Sequence, residues 1–249
     1  MEVFKIIWYN ISVYVCCYGL FERKGDKMKR NLWITIAFFV LMAITIIVGI
    51  IVAVIEEREQ QTEQRNTEFA LKPVIYLYPE EETDVSAKLD LNGDFTCTYP
   101  AYNNGWNVRA YPDGTLVDKN GKEYNYLYWE GETYTEYDFS KGFCVKGEDT
   151  AEFLEVSLEK LGLNRREANE FIVYWLPLMQ ENEYNIISFQ TDAYTESAKL
   201  EIIPKPDSLI RVFMAYKASD EYVEIEEQKL VCPERDGFVA VEWGGTEVK

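Results

Sequence analysis

The chain has 249 residues, 47 % of them apolar and 15 % aromatic, enough to bury a proper core, so wholesale disorder is excluded and one or two domains are expected. A net charge of -18, from 43 acidic and 25 basic side chains, argues against nucleic acid or an anionic lipid surface as the main partner, because both demand clustered Lys and Arg. The chain has no histidine, which removes Ser-His-Asp and Cys-His catalysis, imidazole-ligated zinc and the usual switch near neutral pH.

The charge is divided unevenly. Residues 1–31 hold six basic and three acidic side chains, whereas residues 56–249 hold 19 basic and 40 acidic ones, a net -21. Between them, from Leu32 to Ile55, run 24 residues without a charge, whose only hydroxyls are Thr35 and Thr45. As a helix this run is roughly 36 Å long, which spans a hydrocarbon core of about 30 Å with some tilt. A buried soluble helix seldom exceeds about 20 residues without a polar face. The run is also too long for a signal-peptide core, and it ends in Val54-Ile55-Glu56-Glu57 rather than at small residues. It reads as an uncleaved signal anchor that partners the membrane.

Five Lys or Arg lie between Arg23 and Arg30, against Arg58 and Arg65 alone in the fifteen residues after the run. The positive-inside rule then puts the N-terminal flank in the cytoplasm and everything after Ile55 outside. Upstream, Ile6 to Phe21 is apolar apart from Asn10 and Ser12, and reads as a short second span, an interfacial helix or an extension before a start at Met28. Each case leaves the orientation unchanged, and the start at Met28 is the expectation adopted. Residues 56–71, rich in Glu and Gln, suit a stalk, with the exterior domain starting at Lys72.

Pro73 to Pro79 is apolar on both faces and suits a buried strand; Asp84 to Leu91 alternates and suits a half-exposed one, and the polar Glu80 to Thr83 implies a hairpin between them. Thr115 to Asp118 and Glu123 to Glu130 flank Asn120-Gly121, a second hairpin signal. Helical spacing follows. Asp149-Thr150 suits a helix start running to Leu161 with Gly162 as the stop, and Asn164 with Glu167 forms a capping-box pattern. Behind that box Ala168, Phe171, Ile172, Trp175, Leu176 and Met179 share a face of core character, and Pro177 kinks or ends the helix. Strand patterns return at residues 186–191, 198–203, 208–217 and 237–243, and residues 221–227 read as a solvated edge or a loop. The fold expected is α+β: a transmembrane helix followed by one exterior β-rich domain, a sandwich or folded antiparallel sheet, with an inserted helical pair.

The runs KPVIYLYP, PDGTL, YLYWEG, EANEFIVYWLP and VEWGG resemble a group of uncharacterised bacterial membrane-anchored envelope proteins, over most of residues 72–245. That resemblance implies an envelope location and transfers no catalytic residue, because the group has no established activity.

Ten Tyr and Trp side chains fall between Tyr99 and Tyr137. On the strand after the Asn-Gly turn, Tyr124, Tyr126 and Tyr128 share one face and Leu127 and Trp129 the other; three rings at a spacing of about 7 Å make a platform for sugar rings or an extended peptide. The alternative is that a neighbouring sheet or helix covers these tyrosines and they are core, since aromatic residues are enriched in strands generally. Trp106, Tyr124, Tyr126, Tyr128 and Trp129 are the candidate ligand-binding residues. If the domain is a hydrolase, Glu130, Glu170 and Asp192 are the carboxylates to inspect, although solvated charge explains each. The Asp90 and Asp118 segments alternate oxygen ligands but lack the calcium-loop pattern, and turn formation explains both. Cys97, Cys144 and Cys232 permit one disulfide in three pairings, or small buried hydrophobes. There is neither metal spacing among the cysteines nor a phosphate-binding glycine loop, so no cofactor is expected.

Three functions follow from these features. The leading one is a membrane-anchored extracytoplasmic binding or interaction module for a glycan, peptide or envelope protein. The others are a carboxylate-dependent hydrolase of cell-wall polymer or glycan, and a structural subunit of an envelope complex.

Overall fold

The computed structural model describes residues 35–52 and 68–248, which fall in two compact units, Met1–Arg65 and Asn66–Lys249. In the first unit, helix α1 (Thr35–Val52) has a mean hydropathy of 2.9 and none of its residues is buried. It is long and apolar enough to cross a membrane, as expected of the central part of the 32–55 run. The Thr45 hydroxyl donates to the carbonyls of Met42 at 2.8 Å and Leu41 at 3.2 Å, so a polar group inside the apolar stretch is satisfied by its own helix. The ends of that run, the Ile6 to Phe21 segment, the Met28 start and most of the stalk lie outside the described residues.

The second unit is α+β. Its strands are β1 (Glu68–Tyr78), β2 (Thr83–Leu91), β3 (Gly93–Tyr99), β4 (Trp106–Ala110), β5 (Leu116–Val117), β6 (Glu123–Tyr124), β7 (Leu127–Thr133), β8 (Lys141–Lys146), β9 (Tyr184–Phe189), β10 (Ala198–Ile203), β11 (Ser208–Ser219), β12 (Glu226–Glu227) and β13 (Val239–Glu247). The helices are α2 (Thr150–Lys160), α3 (Arg165–Met179) and the short α4 (Thr191–Ser197). Eight strands form one sheet in the order β12-β8-β9-β11-β13-β1-β7-β3, and five form another in the order β10-β2-β4-β5-β6. Parallel pairing occurs between β11 and β13 and between β12 and β8, within an otherwise antiparallel framework.

Alternation along the strands builds two cores, one on each face of the large sheet. From β1, Ile75 and Leu77 join Val85, Ala87, Trp106, Leu116 and Trp129 between the sheets. Val74 and Tyr76 point the other way, toward Leu154, Phe171 and Trp175 of the helical pair. The strand is thus buried on both faces, as its unbroken apolar run predicts. Helix α2 is stopped at Gly162, whose φ of +86° is one that glycine adopts without strain. The box at the start of α3 forms as predicted: the Asn164 side chain accepts from the Glu167 N–H at 3.0 Å and Glu167 accepts from the Asn164 N–H at 2.7 Å. Pro177 neither ends α3 nor precedes its last turn, which continues to Met179.

Three expectations need correction. Strand β1 begins at Glu68, inside the expected stalk, because its backbone pairs with β7 (Ala70 opposite Gly131) and side-chain polarity does not govern that pairing. The first hairpin does not form: β1 lies in the large sheet while β2 lies in the small one between β10 and β4, so residues 79–82 carry the chain from one layer to the other. The second hairpin forms only in part, since β5 pairs with β6 and the chain then changes sheet at Asn125-Tyr126 before β7. Strands β3, β4 and β8 and helix α4 were not expected from the sequence pattern.

Candidate ligand site

The change of sheet at Asn125-Tyr126 decides the fate of the tyrosine row. Tyr124 ends in the small sheet, packs on the inter-sheet core and donates its hydroxyl to Asp118 at 3.1 Å. Its ring lies edge-on to Tyr99, and the Lys122 ammonium sits over both. Tyr126 and Tyr128 belong to the opposite face of the large sheet, beside α3. The three rings therefore share no platform, because a two-residue crossing resets the alternation that a continuous strand would keep.

The two candidate tryptophans are core. Trp106 is 2 % exposed and donates its indole N–H to the Pro100 carbonyl at 2.7 Å. Trp129 is wholly buried between the sheets and donates to Glu242 at 3.0 Å. Glu242 is also fully buried, and it pairs with Arg211, its register partner on β11, at 2.6 Å. The Arg211 guanidinium lies 4.6 Å from the centre of the Tyr194 ring. Burial disfavours the charge on Arg211, but Glu242 and Tyr194 outweigh it, so the guanidinium is held above its ordinary pKa. Neither tryptophan is available to a ligand.

What remains of the predicted set meets at one place. The Lys72 ammonium lies 5.5 Å from the ring centres of Tyr126 and of Tyr128 and 5.7 Å from that of Tyr174 on α3. Lys72 has a φ of +58°, a left-handed conformation uncommon for a residue other than glycine. It sits in a bulge where the pairing of β1 slips against both neighbours, between Leu71 and Val74 toward β13 and between Ala70 and Val74 toward β7. The Lys72 N–H donates to Glu130 at 3.2 Å, and the Tyr76 hydroxyl donates to Glu170 at 2.9 Å. Glu170 also lies 3.6 Å from Arg166.

Electrostatics follow from these neighbours. Burial and then Glu170 push the Tyr76 phenol far above its ordinary pKa. Burial and then Glu130 also raise Tyr128 and Tyr174, Tyr128 far above the ordinary phenol value. These phenols stay protonated, and the Tyr76 hydroxyl donates to Glu170. Close packing under the cluster depends on Gly245, where an added Cβ would come within 2.7 Å of the Trp175 ring and 2.6 Å of the Met214 carbonyl.

Of the three candidate carboxylates, Glu130 and Glu170 thus border the same tyrosine cluster. Asp192 does not join them: it is exposed on α4, whose Tyr194 packs into the inter-sheet core on the other face of the large sheet. Lys72 and Tyr174 were missed because one was assigned to a domain start and the other lies off the core stripe of α3. Among the described residues Cys97, Cys144 and Cys232 are unpaired, with Cys97 and Cys232 exposed and Cys144 half-buried.

The segments that carry Lys72, Tyr126 to Glu130, and Glu170 to Tyr174 are distant in sequence and adjacent here. Over 65 residues the chain is 48 % identical to an uncharacterised protein in the bglA 3′ region of Butyrivibrio fibrisolvens, a match covering 25 % of this chain and 67 % of that protein. The chain belongs to the family of that protein. No family model matches the sequence, and no solved structure matches it.

Proposed function

We propose that this protein is a membrane-anchored binding module, held by the 32–55 run with its C-terminal unit outside, and that the Lys72 cluster takes the ligand. The observation that carries this reading is Lys72 itself, a non-glycine residue in a left-handed bulge whose ammonium is surrounded by three half-buried tyrosines. No carboxylate pairs with that ammonium among the described residues, so it remains free to donate to an acceptor on a glycan or peptide. The tyrosine faces supply stacking, and Glu130 and Glu170 accept from ligand hydroxyls or amides.

The test is a screen of the full-length protein in detergent micelles against envelope glycans and peptides, repeated with Tyr126→Ala and Lys72→Gly. Glycine suits the backbone at this position, so Lys72→Gly removes the ammonium without adding strain. Binding lost in both variants with stability held supports the site; a ligand that binds both as tightly as wild type refutes it.

A second reading, a carboxylate-dependent hydrolase of cell-wall polymer or glycan, is favoured by Glu130 and Glu170 both bordering one tyrosine cluster; such chemistry needs two carboxyls about 5–9.5 Å apart across a cleft. It requires that Glu130→Gln and Glu170→Gln each abolish release of reducing ends from wall polymer. Absence of such release by the wild type ends that reading.

A further inference from the structure

The outer face of the small sheet carries a groove of about 700 Å³ whose lining includes no residue of the tyrosine row or of the Lys72 cluster. Strand register orders its side chains into two rows. One row runs Ile203, Ser86, Asn107 across β10, β2 and β4; the next runs Asp84, Arg109, Val117 across β2, β4 and β5. Successive rows are about 7 Å apart along a strand, and neighbouring strands are about 4.8 Å apart. Tyr111 adds a ring beside them.

Two properties of this face point to a ligand class. Its charges cancel: Asp84 and Asp118 are matched by Arg109 and Lys119, on a region whose net charge is -21. Asp84, Arg109 and Asp118 are also already engaged. Arg109 contacts Asp84 at 2.9 Å and Glu82 at 3.1 Å. Asp118 closes its own turn, accepting from the N–H groups of Asn120 at 2.8 Å and Lys122 at 3.0 Å and from the Tyr124 hydroxyl. The Ser86 hydroxyl and the Asn107 amide, by contrast, have no hydrogen-bond partner among the described residues. Side by side on paired strands, they offer neutral donors and acceptors at about 5 Å separation.

Apolar surface lies within the same groove. Val117 is half-exposed and Ile203 is 60 % exposed. Ile203 also lines an adjoining groove of about 380 Å³ along β10, with Leu200 and Leu209, so the accessible path is longer than one small molecule. A sugar ring has an apolar C–H face and an edge of vicinal hydroxyls, and a chain of such rings without charge meets each of these features. A polyanion would meet the repulsive field of the surrounding acidic surface.

We infer that this groove is a second ligand site, separate from the Lys72 cluster, and that it takes a neutral oligosaccharide. Asn107 and Ser86 bind ring hydroxyls, the salt-bridged Arg109 presents its remaining N–H groups in a fixed plane, and Tyr111, Val117 and Ile203 cover the C–H faces.

The experiment titrates the full-length protein in detergent micelles with cellohexaose, xylohexaose, maltohexaose and chitohexaose by calorimetry. At least one of them binds; Asn107→Ala and Tyr111→Ala each weaken it about tenfold, and Tyr222→Ala on a distant exposed loop leaves it unchanged. Asn107→Asp, which keeps the shape of the side chain, weakens it as well, and tryptophan fluorescence checks that every variant is folded. The affinity is the same at low and high salt, as expected for an uncharged ligand. Failure of all four sugars to bind wild type overturns the inference, as does an affinity that falls with salt. Binding lost in Tyr126→Ala but retained in Asn107→Ala also overturns it and moves the saccharide to the Lys72 cluster, whereas the opposite pattern leaves the first site to be judged by its own screen.

Discussion

Arg211 and Glu242 form an ion pair inside the inter-sheet core, and their substitution makes a demanding test of the fold. Arg211→Met leaves a carboxylate that is wholly buried and has lost its cationic partner, with the Trp129 indole still donating to it. Such a stranded charge costs about 3–5 kcal/mol, several times the effect of losing an exposed pair. Glu242→Gln keeps an acceptor for Trp129 but strands a guanidinium whose side chain is 6 % exposed, at a similar cost of about 3–5 kcal/mol. The double variant Arg211→Met/Glu242→Gln removes both charges and retains the indole hydrogen bond. It should lose about 1–2 kcal/mol, less than either single change, giving a coupling of about 4 kcal/mol or more. Denaturant unfolding of the full-length protein in micelles, followed by tryptophan emission, reads this directly, because Trp129, Trp175 and Trp243 are all fully buried. Single-variant costs that simply add in the double variant to within about 0.5 kcal/mol would refute the argument that the pair is desolvated and mutually dependent.

Other expectations rest on separate groups. Glu167 is fully buried, closes the α3 box and receives both guanidinium nitrogens of Arg235, at 2.9 and 3.0 Å; Glu167→Ala should cost about 3 kcal/mol in the same unfolding assay, and Glu167→Gln less. Tyr76, Tyr78 and Tyr128 have folded-state pKa values raised above the ordinary phenol value of about 10. Below about pH 10 both states keep the proton; above it the unfolded chain ionises first, so stability falls as pH rises from there, and Tyr128→Phe should flatten that fall. Stability unchanged up to pH 11 would contradict it. The exposed thiols of Cys97 and Cys232 report orientation: a membrane-impermeant maleimide should label them in intact cells, and Cys97→Ser/Cys232→Ser should remove most of that label. Labelling only after lysis would place the C-terminal unit inside.

The sequence by itself determined features that depend on local rules. A run of apolar residues long enough to cross a membrane, a box of Asn164 and Glu167, a glycine stop at Gly162 and period-two alternation in β2 each follow from nearby residues, and each is present in the fold. Trp106 and Trp129 were legible as candidate aromatic contacts, but not whether they face a ligand or the core, because burial depends on what lies opposite, and only the second sheet supplies that. Likewise the tyrosine row looked continuous, since nothing in Tyr124-Asn125-Tyr126 announces a change of sheet. Chain crossings are set by the competition among distant strands for the same edges, and local pattern carries no trace of them. For the same reason the Lys72 cluster draws on β1, β7 and α3, and the saccharide groove on β2, β4, β5 and β10. Only tertiary structure assembles either, by bringing to one surface side chains that are separated along the chain.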